Sequence, residues 1–89
     1  MSKAIEDVTN ERQRQQTVKG WTPEHDDQHV NFEMAEAAAA YALFAGGNQN
    51  LASIVYPWDP LPTSTDVRCN LVKAAALIIA EIERIDRLE

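Results

Sequence analysis

The stretch DVRCNLVKAAALIIAEIERIDRL, residues 66–88, decides the fold. At about 100° of turn per residue, Val67, Leu71, Ala74, Ala75, Ile78, Ile82 and Ile85 fall on one helical face. Leu71, Ala75, Ile78, Ile82 and Ile85 step by four, three, four and three, the seam of a packed helix pair. Val72, Ala76, Leu77, Ile79 and Ala80 fill the flanks and much of the opposite face. The stretch QHVNFEMAEAAAAYALFA, residues 28–45, behaves alike. Met34, Ala38, Tyr41 and Ala45 make one stripe, and Phe32, Ala35, Ala39 and Leu43 lie largely on the other side. A helix that is apolar around its circumference is a buried helix. A hairpin of 89 residues cannot cover two of them. The expectation is an all-α protein, an antiparallel helical hairpin plus a shorter N-terminal helix, with its core completed by homo-oligomerisation. Ala35 and Ala37–Ala40 would let helices approach closely at such an interface.

The remaining punctuation divides one domain, residues 1–89, into five stretches. Ser2 as N-cap and Gly20 as stop predict a helix over about 3–19. Residues 20–27 are expected as a loop, with Thr22 before Pro23 marking a possible helix start. The second helix is expected over about 28–45, ending at Gly46-Gly47. A loop over 46–65 carries Tyr56-Pro57-Trp58-Asp59-Pro60, and its length suggests a functional or lid segment. Thr63, Ser64 or Thr65 would cap the last helix, over about 66–88.

Composition narrows the partners. The net charge of −6 disfavours binding to a DNA or RNA backbone. Glu33, Glu36, Lys73 and Glu81 interrupt the apolar runs, so no membrane span is expected. Cys69 is the single cysteine, which rules out an internal disulfide. The N-terminus has no apolar signal segment, and a cytoplasmic location is expected.

Two sets of residues have chemical potential. If the second helix began near Thr22, His25, His29, Glu33 and Glu36 would share one stripe at spacings of four, four and three. Imidazoles and carboxylates so spaced can hold Zn²⁺, Mn²⁺ or Mg²⁺. Glu33/Glu36 and Glu83/Asp86 also form two acidic pairs that can cage Mg²⁺ around a pyrophosphate. The same stripe reads equally as a solvated face, and Glu83 and Asp86 as surface ion-pair partners of Arg84 and Arg87. The second set is aromatic and basic. Trp21, Trp58 and Tyr41 can stack on a base, and Arg12, Arg14 and Lys73 can meet phosphate. The plainer alternative has the tryptophans anchoring loops and Lys73 snorkelling to water.

The stretches Glu11-Arg12-Gln13-Arg14-Gln15, Gly20-Trp21-Thr22-Pro23-Glu24-His25-Asp26-Asp27, Tyr56-Pro57-Trp58, Leu71-Val72-Lys73-Ala74 and Ala80-Glu81-Ile82-Glu83-Arg84-Ile85-Asp86-Arg87 resemble a family of short phage and prophage proteins. That resemblance spans most of the chain and implies no settled activity. Where the family's pattern reads Gly-Glu-Leu-Ala, this chain has Phe32-Glu33-Met34-Ala35. The acidic pairs bear a weaker resemblance to the all-α nucleotide pyrophosphohydrolases of the MazG type, although the interval between the pairs is longer here. By analogy, small oligomeric phage proteins that soak up nucleotide signals of bacterial defence share this chain's size and helical character.

Three expectations follow. The leading one is a non-catalytic oligomer that sequesters a small phosphorylated nucleotide, cyclic or ADP-ribose-derived, in pockets shared between subunits, without a cofactor, in the host cell cytoplasm if phage-encoded. Arg12, Arg14 and Lys73 would neutralise phosphate, Trp21, Tyr41 or Trp58 would stack, and His25 and Glu33 would hydrogen-bond ribose or base. The second is an Mg-dependent pyrophosphohydrolase built on Glu33, Glu36, Glu83 and Asp86. The third is a small inhibitor that docks on a host protein.

Overall fold

A computed structural model describes residues 2–20, 23–27, 32–58, 61, 64 and 66–88, except for the side chains of residues 25 and 26. All regular structure among them is helical, as the sequence predicts: α1 (Lys3–Thr17), α2 (Pro23–Asp26), α3 (Glu33–Ala45), α4 (Gln49–Val55) and α5 (Val67–Arg87). α3 and α5 form the central hairpin, α1 lies along another side of α5, α4 packs on α3, and α2 touches α5. No described helix is long and apolar enough to cross a membrane.

Local chemistry sets the ends. The Ser2 hydroxyl accepts the Ile5 N–H (3.1 Å) and starts α1, and Gly20 turns the chain at φ 74°. Asp66, rather than Thr63, Ser64 or Thr65, caps α5: its carboxylate accepts the Arg68 and Cys69 N–H groups at 2.9 and 3.4 Å. Ser64 is drawn back instead onto the buried Asn70, whose amide accepts the Ser64 N–H (3.2 Å) and donates to the Ser64 carbonyl (2.9 Å). Thr63 and Thr65 lie outside the described residues.

Three expectations need correction. The second helix does not run through from residue 28, because Phe32 sits at φ 68° and α3 begins only at Glu33. A bulky residue in the left-handed region breaks a right-handed helix at a cost of about 1–2 kcal/mol. Glycine is the residue for which this conformation is free. The expected 46–65 loop contains α4, capped by the Asn48 side chain on the Leu51 N–H (3.1 Å). The seam Leu71–Ala75–Ile78–Ile82–Ile85 does not pack within the chain. The residues that α5 buries include Asn70, Ala74, Leu77, Glu81 and Arg84, and the central cluster is Ala37, Ala38, Tyr41, Ala74 and Leu77.

Candidate functional site

Crossing α1 over the α3–α5 hairpin brings the polar half of α1 against Lys73 and Tyr41. The result is a cavity of about 170 Å³ lined by Glu11, Arg14, Gln15, Lys19, Tyr41, Tyr56 and Lys73. Glu11, Arg14 and Gln15 sit at spacings of three and one, so they share one face of α1. Arg14 donates through Nε and Nη2 to the two Glu11 carboxylate oxygens at 2.7 and 2.8 Å, a bidentate fork. The Gln15 amide donates to the same carboxylate at 3.3 Å. Burial alone would push the Glu11 carboxyl up, but Arg14, Gln15 and Lys73 together outweigh it and hold it below the usual value. The Glu11 contact in turn raises Arg14.

The far wall is aromatic. Tyr41 and Tyr56 meet edge to face at 6.1 Å. Burial is the main cause that raises both hydroxyls above their ordinary pKa, most strongly at Tyr41. Lys73 Nζ lies 5.9 Å from the centre of the Tyr41 ring, within cation–π range. Behind Tyr56, Trp58 stands edge-on at 5.7 Å and packs with Leu61 against the core.

One atom is out of balance. Gln15 is 2% exposed, and its Oε1 is buried with no hydrogen-bond partner. The amide orientation follows from Glu11: only the NH₂ end can face that carboxylate. A buried unpaired acceptor costs about 1–3 kcal/mol, so this side chain is set up for a donor.

The structure thus gathers Arg14, Tyr41 and Lys73 from the sequence-predicted set. Arg12 is separated from Arg14: it faces α5 on another side and donates to Glu83 at 3.1 Å. Trp58 anchors its loop through Tyr56 and the core. Glu33, at the start of α3, does not line the cavity. Trp21, His29 and the side chain of His25 lie outside the described residues.

The proposed histidine–glutamate stripe needed one helix from residue 22 to residue 36, and the break at Phe32 removes that helix. Glu83 binds Arg12, and among the described residues no group of three His, Cys, Asp or Glu side chains is placed to hold a metal ion. Sequence reasoning missed Glu11, Gln15, Lys19 and Tyr56. The polar run Glu11–Gln16 was the available signal; read as one helix face, it already puts an acid, a base and an amide together. No family model, curated protein or solved structure matches the chain, so its site is read from its own geometry.

Proposed function

We propose that this chain binds and retains a small phosphorylated nucleotide in the cavity between α1, α3 and α5. What supports the reading is the convergence, in one pocket, of Arg14, Lys19 and Lys73 with two tyrosines and Gln15, whose Oε1 is unpartnered. Three cations against one carboxylate favour an anion. The orphaned acceptor asks for more than an anion, because the oxygens of a fully ionised phosphate ester only accept. A sugar hydroxyl or a base amine supplies the missing donor, and a phosphorylated sugar carries both chemistries.

The cavity is smaller than the 300–1,000 Å³ typical of ligand pockets. It would hold the phosphate and sugar and leave the base at the mouth, beside the half-buried Tyr56. Lys73 and Lys19 would meet phosphate as point charges and Arg14 through its fork. In keeping with the resemblance to short phage proteins, the ligand would be a signalling nucleotide held rather than turned over, by a chain that acts as a homo-oligomer.

Calorimetric titration with adenosine monophosphate, adenosine and inorganic phosphate tests this. The reading expects the monophosphate to bind at least tenfold tighter than either fragment. Lys73→Ala should abolish that binding, and Gln15→Leu should erase the advantage over inorganic phosphate. Equal affinities in wild type and Lys73→Ala would refute it.

A further inference from the structure

Leu71, Ile78, Ile82 and Ile85 are large aliphatic side chains on one face of α5, and each keeps 46–52% of its surface exposed. The exposed Ala35, Ala39 and Ala42 of α3 lie beside them. Between the two helices runs an almost wholly apolar groove of about 250 Å³ that includes Ile78 and Ile82. The one charge at its edge, Glu81, is buried and forked to Arg84 at 2.6 and 3.1 Å. We propose that this α3–α5 face is where a second copy of the chain docks, and that the ligand cavity stays complete within each copy.

The commitment to a second copy rests on the shape and charge of the face. A two-fold contact requires the same patch to be complementary to itself. Here a ridge spaced four-three-four-three lies alongside a groove floored by alanines, so each copy offers both the knob and the hole. Ile78 sits at the middle of the five-residue seam, so an antiparallel pair brings it onto its own counterpart. The whole chain carries a net charge of −6, which opposes self-association, but the charge at the groove's edge, Glu81, is paired with Arg84.

The half-exposed aliphatics and the alanines present on the order of 500 Å² per copy, so pairing buries roughly 1,000 Å², the least that a biological interface needs and the size of a reversible one.

Geometry then separates pairing from ligand binding. Lys73 is two residues from Leu71 and five from Ile78, so at about 100° per residue it points to the far side of α5. The cavity it lines is away from the paired face. Each copy therefore keeps its own site, and pairing neither builds nor blocks it.

Sedimentation equilibrium of the ligand-free protein tests the interface independently of the nucleotide reading. Wild type should be a dimer at micromolar concentration. Ile78→Glu and Ile78→Lys should each be monomeric, with association weakened at least 100-fold, and an equimolar mixture of the two should pair again. Ala39→Glu on α3 should have the same effect. Ile54→Glu, an exposed aliphatic on α4, should leave the dimer intact. Circular dichroism that matches wild type confirms that a monomeric variant is folded. A wild-type monomer at 100 micromolar, or dimers unaffected by both Ile78→Glu and Ala39→Glu, would overturn the proposal.

Discussion

Replacing Glu11 with glutamine should tighten anion binding while it weakens the fold. In the free protein the Glu11 carboxylate occupies Arg14 through two short bonds and sets the lining charge at two net positive rather than three. A bound phosphate roughly 5 Å from that carboxylate is repelled by about 3 kcal/mol at an effective dielectric near 20. Water and salt in an open cavity cut this to about 1.5–2 kcal/mol. Glu11→Gln removes the repulsion, keeps the shape and frees the Arg14 fork, so adenosine monophosphate should bind ten- to thirtyfold tighter. The same change loses charge-assisted bonds to a partly exposed arginine, a stability loss of about 1 kcal/mol. Calorimetry for affinity and thermal melting for stability read the two effects separately. Affinity that falls along with stability would mean that Glu11 accepts a bond from the ligand, and would refute the assignment of Glu11 as a competing anion.

Other predictions follow from single contacts. The Glu11 carboxyl is depressed below its ordinary value of 4.5, so it adds stability above that pH that is lost as pH falls through the folded value. The acid limb of urea stability below pH 4.5 should therefore be shallower in Glu11→Gln. The chain has two tyrosines, and both are raised above 10.0, so native tyrosinate absorbance should appear only above pH 10 and shift down in urea. By the same sign, stability should decline as pH rises from 10 toward the folded values. Phe32 is exposed at φ 68°, so Phe32→Gly should raise stability by about 1 kcal/mol, read as a higher urea midpoint with unchanged slope. Asn70→Ala removes both bonds to Ser64 and should cost about 2–3 kcal/mol in denaturant titration, without moving nucleotide affinity.

The terminal helices were legible because their signals are local. Ser2 and Gly20 bracket α1, and a 23-residue apolar period marks α5 to within a residue at each end. The break before α3 was not legible: Phe32 carries no composition signal for a positive φ. α4 was hidden for a related reason, since seven residues with one asparagine cap barely exceed the noise of a polar loop. Periodicity showed two apolar faces on α5 and could not say which one the chain covers itself. In the site, Arg14, Tyr41 and Lys73 were visible as residue types. Their meeting with Glu11, Gln15 and Tyr56 depends on how α1 crosses the hairpin, a tertiary fact with no local trace.

The most direct test is native mass spectrometry of the protein purified from bacteria, before and after incubation with adenosine monophosphate, ADP-ribose and cyclic dinucleotides, alongside Lys73→Ala. The account predicts one nucleotide retained per chain in wild type, unaffected by chelator and missing from Lys73→Ala. Wild-type protein that retains no member of the panel, or a Lys73→Ala variant that retains it equally well, would contradict the account.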